Sequence, residues 1–276
     1  MTPTMGSAAR EVVGTGRPGR VVAVFSRAVY VRFADDSGIV AIVPMDVPSG
    51  PLHLRVTSLP KTEVGDPVMV RGDSLSVGPQ RVGLPRGVWR PTPVNHLVGR
   101  RSTAARVLRD VLGEPRLLDL EGSQWDVAGD LRQHGLRAAV SHLAGRGSGL
   151  TPAGDDCAAG IVLVTSLLSQ AGSATWTSQA LVELVSGHDS HDIAVAILTS
   201  AARGEGIEPL HTLLASCARG DRDMAARDIG VLEGIGHTSG RDMAYGMLVG
   251  LELAEVIASD WRAERDRVSS ASQSTT

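Results

Sequence analysis

Two adjacent carboxylates, Asp155 and Asp156, follow a run that carries glycine at 145, 147, 149 and 154, with Thr151-Pro152 just before the last of them. Glycine lets a backbone approach a ligand closely. Thr-Pro is the pattern of a helix start, with Thr as N-cap and Pro at the first helical position. A helix start presents free N–H groups and the positive end of a dipole, so the run suits an anion. Carboxylates in its first turn suit a cation, an amide N–H or a proton in transfer.

A second run repeats the device. Gly240, Asp242 and Gly246 have the spacing of Gly154, Asp156 and Gly160, a Gly-x-Asp-x-x-x-Gly pattern. Each run has a threonine just upstream, Thr151 and Thr238, and each precedes a long apolar stretch. Gly160 and Gly246 fall one turn beyond the aspartates, where they would let two helices pack closely. If the two stretches lie side by side, both loops converge on one pocket. The candidate catalytic groups are then Asp155, Asp156 and Asp242. The candidate ligand-binding residues are Gly147, Gly149, Thr151, Gly154, His237, Thr238, Ser239 and Gly240. A cofactor is not defined; if Mg²⁺ binds, Asp156 and Asp242 are its ligands. A plain structural reading stays open, because an acid in a first helical turn is stabilising through the dipole alone.

His188-Asp189-Ser190-His191-Asp192 places two histidines three apart, a spacing compatible with a metal, but also a helix start capped by Asp189 or Ser190. No Gly-x-Ser-x-Gly elbow and no dinucleotide fingerprint after a strand is present. Lys61 is the only lysine, which excludes a lysine-bearing phosphate loop in the C-terminal half.

The elements that must position these residues follow from composition and period. The 276 residues suffice for one large or two ordinary domains, and aromatics make up only 3%, so the core rests on aliphatic side chains. A net charge of -3 gives no nucleic-acid signature. Cys157 and Cys217 stand alone in apolar surroundings, as reduced thiols do. No stretch reads as a signal peptide or a membrane span, so the expectation is a cytoplasmic protein without membrane or nucleic-acid partners. Residues 1–19 read as a flexible leader. Over 20–94, short β-branched runs are punctuated by Gly and Pro, which predicts a small antiparallel β sandwich or barrel. From 95 to 260 the period is helical, including a single helix over 126–144, an apolar helix at 155–171 and a last helix at 241–258. A brief strand or extended link is expected at 117–120. Residues 261–276 are charged and then Ser/Thr-rich, as a disordered tail is. The class is α+β, with the central helices of the second domain buried.

The run Gly147-Ser148-Gly149-Leu150-Thr151-Pro152-Ala153-Gly154-Asp155-Asp156 resembles the GxGLTPSGDD signature of the family that includes the AllH subunit of oxamate carbamoyltransferase, from anaerobic allantoin breakdown. Gly236 to Asp242 resembles its second signature, GHSSGxD. Ala153 departs from the family's usual Ser, and the segment around His188-Asp189 is not typical of it. The resemblance implies a β-rich part followed by a helical part. It also implies a subunit working with two larger partners, one of them acyl-CoA-synthetase-like, rather than alone. The implied reaction exchanges a carbamoyl group between oxamate and phosphate, giving carbamoyl phosphate. A non-catalytic binding or assembly subunit and a metal-dependent hydrolase remain the other readings of the same residues.

Overall fold

A computed structural model describes residues 3–34, 38–94, 96–113, 125–173, 176–236 and 238–273. The chain forms two compact units. One comprises Met1–Thr92 with Glu205–Glu208, the other Pro93–Gly204 with Pro209–Thr276.

The first unit is built on one curled, nine-stranded sheet, a half-barrel, among the described residues. Its elements are β1 (Met5–Gly6), α1 (Ser7–Gly14), β2 (Gly19–Val24), β3 (Val29–Phe33), β4 (Gly38–Pro44), β5 (His53–Val56), β6 (Pro67–Arg71), β7 (Ser74–Val77), β8 (Gln80–Gly83) and β9 (Val88–Trp89). The strand order is β8-β7-β6-β2-β3-β4-β5-β1-β9. Period-two alternation sets the faces: Val29, Val31 and Phe33 are buried while Arg32 is exposed. With Ile42, Leu54, Val68 and Leu75 they make the core. The pairing is not wholly antiparallel, since β4 with β5 and β1 with β9 run parallel.

The expected flexible leader is instead structural from Met5. Met5 is fully buried, its N–H donates to Gly87 O at 3.0 Å, and β1 lies between β5 and β9. Ala8, Ala9, Val12 and Val13 line one face of α1 at helical spacing and are buried. Gly6 cannot carry a side chain, because a Cβ there would lie 2.1 Å from Gly50 O. Within the same unit, Ser7 Oγ donates to Glu205 Oε2 at 2.7 Å.

The second unit is helical: α2 (Leu97–Leu112), α3 (Val127–Leu143), α4 (Ala153–Gln170), α5 (Ser178–Ser186), α6 (Asp192–Ala202), α7 (Glu208–Arg219), α8 (Arg222–Glu233), α9 (Ser239–Glu252) and α10 (Ala254–Gln273). Every residue of α4 from Gly154 to Leu168 is buried, so this helix is the hub. Its main neighbour is α9, and α6 packs beside it. Three expectations change here. The helix over 126–144 breaks at Gly135, whose φ of 80° and ψ of 175° are not helical. Asp260 of α10 supplies the missing cap by accepting from Leu136 N–H at 2.9 Å. The helix over 241–258 is two helices, parted at Leu253, and the second continues to Gln273 through the stretch expected to be a disordered tail. The residues 117–120 lie outside the described ones. Among the described residues no helix is long and apolar enough to cross a membrane.

Candidate functional site

Both sequence motifs are junctions between helices. The first joins α3 to α4, the second α8 to α9. In each, the motif glycine presses the new helix onto the end of the old one. A Cβ at Gly154 would sit 2.2 Å from Leu143 O, and one at Gly240 2.1 Å from Leu232 O. The turns need left-handed backbone, found at Gly145, Gly147 and Gly149 in the first junction and at Gly236 in the second. Gly147 has a second constraint, since a Cβ would meet Ala153 N at 2.6 Å.

The helices launched from these junctions pack backbone to backbone. A Cβ at Gly160 would lie 2.0 Å from Met243 O, and one at Gly246 2.0 Å from Cys157 O. The contact is reciprocal: each glycine meets the residue three before the other. One turn on, Gly250 faces Val164, and one turn back, Asp156 and Asp242 are close enough to repel. The pairs 156·242, 160·246 and 164·250 advance in the same direction, so α4 and α9 run parallel with their starts side by side. A hydroxyl contact, Thr151 Oγ1 to Ser239 Oγ at 3.1 Å, links the two loops there. Two positive dipole ends are thereby brought together, and the carboxylates beneath them are the counter-charge.

The three aspartates divide into two roles. Asp155 is saturated. Its carboxylate accepts from Gly145 N–H at 3.0 Å, from His188 Nε2 at 2.6 Å and from Ser190 Oγ. The side chains of Asp155 and His188 are each 1% exposed. Asp155 is thus an anchor, tying the first glycine turn and the segment after α5 to the start of α4. Asp156 and Asp242 are buried too, but each keeps one carboxyl oxygen, Oδ2, without a hydrogen-bond partner among the described residues. Burial pushes the Asp156 carboxyl well above the usual carboxylate range. The Ser239 and Thr151 hydroxyls oppose this, while the charges of Asp242 and Asp155 add to it. Burial also raises Asp242, against the Thr238 hydroxyl and the Arg241 guanidinium. Neighbouring carboxyls that repel each other titrate as a pair, and a pair holding one proton can both donate and accept a hydrogen bond.

Residues 143–251 match the family described as oxamate carbamoyltransferase subunit AllH. The match covers less than half of the chain. It begins at the last residue of α3 and ends one residue before the end of α9, and so contains both junctions, the α4–α9 contact and all three aspartates. No curated protein and no solved structure matches the chain.

Within the matched region, several sequence expectations change. Pro152, not Thr151, occupies the N-cap position of α4, and no side chain caps the helix. The Thr151 hydroxyl turns to Ser239 instead. Similarly α6 starts after His191, because Ser190 is drawn to Asp155. At Gly154 and Gly240 the space of a side chain is filled by the preceding helix, whereas Gly149 faces open space. His188 is committed to Asp155 and His191 is exposed. Among the described residues no three His, Cys, Asp or Glu side chains form a group able to hold a metal. Cys157 and Cys217 are buried and their thiols are pushed up by burial, Cys217 to about 12, so neither is a thiolate nucleophile. His237 lies outside the described residues. Sequence reading missed His188 and Ser190 as the partners of Asp155. They are 33 and 35 residues away on another element, beyond any local periodicity.

Proposed function

We propose that this chain is a subunit of an oxamate carbamoyltransferase-type complex, and that its paired helix starts bind a small anionic ligand of the carboxylate, phosphate or carbamoyl phosphate kind. The observation that carries the reading is the pair of buried carboxyl oxygens, Oδ2 of Asp156 and of Asp242, left open beneath two adjacent helix N-termini. Backbone N–H groups and two dipoles favour the anionic end of such a ligand. The carboxyl pair then meets a group that donates and accepts, as an amide does. The ligand contacts proposed on these loops are Gly147, Gly149, Thr151, Thr238 and Ser239, together with His237. Gly154 and Gly240 act indirectly, by setting where each helix begins. Asp155 acts as a positioning residue. The family description supports partner subunits. By the resemblance stated above they are two larger chains, one acyl-CoA-synthetase-like, and catalysis requires the assembly.

The test is isothermal titration of the chain with oxamate and with phosphate, together with assay of the reconstituted complex, for Asp156→Asn and Asp242→Asn. Each substitution is expected to lower activity by about 10²-fold, the scale of losing one oriented polar group at a reacting centre. Unchanged affinity and unchanged activity in both variants would refute the assignment. A second reading, a ligand-binding or assembly subunit without catalytic groups of its own, is favoured by the inert thiols and the saturated Asp155. It predicts lost affinity with activity retained at saturating ligand.

A further inference from the structure

Each junction brings one hydroxyl to Asp156, and the two are not equivalent. Ser239 Oγ and Thr151 Oγ1 lie 3.1 Å apart. Both donate toward the Asp156 carboxyl, Ser239 the more strongly. Ser239 precedes Asp242 by three residues, so the two share a face of α9, about one turn apart. Ser239 and Thr151 are half-buried and Asp156 is buried, so solvent reaches the residues that carry the hydroxyls and hardly reaches the carboxyl. Gly236 leaves room for the serine: a Cβ there would lie 3.0 Å from Ser239 Oγ, on a backbone with φ of 64°. Ser239 is the first residue of α9, whereas Thr151 lies two residues ahead of α4, before Pro152. Only the serine stands in a first helical turn, where the positive end of the dipole favours an alkoxide. The other reactive side chains here are closed. Cys157 is a buried thiol that burial keeps protonated, and Asp155 and His188 hold each other.

We propose, on the carbamoyltransferase reading above, that Ser239 is a nucleophile that takes the carbamoyl group onto its own oxygen, with Asp156 as its general base. A serine hydroxyl is a weak nucleophile until a neighbouring base removes its proton. Asp156 is placed for that, and its Oδ2 has no hydrogen-bond partner among the described residues to compete for the proton. Burial raises the carboxyl toward the range in which it can both accept a proton and return it. Ser239 Oγ attacks the carbonyl carbon of carbamoyl phosphate, and its proton passes to Asp156. The tetrahedral oxygen gathers its charge at the start of α9, where the dipole favours it. The bond from carbon to the phosphate oxygen then breaks, phosphate leaves with the electron pair, and Asp156 returns the proton to it. The products are a carbamate ester on Ser239 and inorganic phosphate. Nothing is oxidised or reduced, and the reverse sequence returns the group to phosphate.

In the test, the reconstituted complex is mixed with carbamoyl phosphate, quenched in acid, digested and read by mass spectrometry for a carbamoyl group on Ser239. Lys61, exposed and the only lysine, is the internal control, because it records carbamoylation by cyanate released from the reagent. The wild type is expected to carry the group on Ser239. Ser239→Ala and Asp156→Asn should lose it while Lys61 is labelled as before. Ser239→Ala should also lower turnover by about 10³-fold or more, the scale of losing a nucleophile. Phosphate should still bind this variant in isothermal titration, which shows that it folds. Thr151→Ala should still be labelled at Ser239. An unlabelled Ser239 in an active wild-type complex overturns the proposal. So does a group carried by Thr151 instead, or a Ser239→Ala complex that turns over within about tenfold of wild type. If Ser239 stays unlabelled while Asp156→Asn and Asp242→Asn weaken phosphate binding, the nucleophile falls and the anion site stands. If neither aspartate affects binding or activity, the site itself falls, and the nucleophile with it.

Discussion

The two junctions share a backbone device and differ in how it is fastened. Gly154, Asp156 and Gly160 in the first correspond to Gly240, Asp242 and Gly246 in the second, and each triplet does the same things: helix start, open carboxyl, helix crossing. The residue before each aspartate differs in sign. In the first junction it is Asp155, which is buried and binds Gly145, His188 and Ser190. In the second it is Arg241, which is half-exposed and binds Glu233 and the carbonyl of Leu112. What the junctions hold in common belongs to the proposed site. What differs belongs to the local surroundings, one fastened from inside and the other from the surface.

That comparison can be broken most severely at the crossing. Gly160→Ala and Gly246→Ala should each cost about 3 kcal/mol or more in urea denaturation, because a Cβ meets a carbonyl oxygen that cannot move without moving its helix. Equivalent losses are required by the reciprocal geometry, and a neutral result at one glycine would end the symmetry. The fastening comes next. Asp155→Ala strands a buried imidazole, a hydroxyl and a backbone N–H and should cost about 2–4 kcal/mol. Arg241→Ala, whose ion pair is about half in water, should cost under about 1 kcal/mol. Similar losses at both would mean the two fastenings are not different in kind.

The open carboxyls sharpen the comparison through pH. Both are raised in the folded state, so the native protein holds more protons than the unfolded chain above the ordinary carboxylate range. Stability contributed by that proton uptake is present at low pH and is lost as pH rises through the raised values. His53 and His211 work in the opposite direction. Burial lowers each to about 4, so the unfolded chain takes up protons first as pH falls below about 6.5, and stability drops there. Thermal midpoints measured against pH should therefore change slope in the double variant Asp156→Asn, Asp242→Asn. The fall on the alkaline side should flatten while the acid-side drop remains. An unchanged profile would show that the pair does not hold a proton.

Much of this was legible in the sequence. The Gly-x-Asp-x-x-x-Gly echo announced two similar helix starts, and the position of its second glycine announced a close crossing. The β-rich character of 20–94 was also legible, because the alternation of a strand is local. What stayed hidden was non-local. β1 is two residues long and takes its order from β5 and β9, roughly fifty and eighty positions away. The turn of Thr151 away from capping depends on Ser239, and the role of Asp155 depends on His188. Gly154 and Gly240 looked like glycines that admit a ligand, but they admit the end of the previous helix. A single sequence records that a side chain is missing at such a position, not which neighbour fills the space.

The break at Gly135 gives the C-terminus an unexpected reach. The stretch from Leu136 to Leu143, which delivers the chain into the first glycine turn, begins on a carboxylate borrowed from Asp260. Trp261 beside it rests against Trp176, which in turn carries Arg137 of the same stretch. A deletion that looks like harmless trimming of the last helix would, if it passed Asp260, uncap this lever and loosen the first junction from a distance. Asp260→Ala should reproduce the effect at about 1 kcal/mol, the usual worth of a helix cap. Faster hydrogen exchange at Leu136 to Leu143, with α9 unaffected, would mark how far the slack travels.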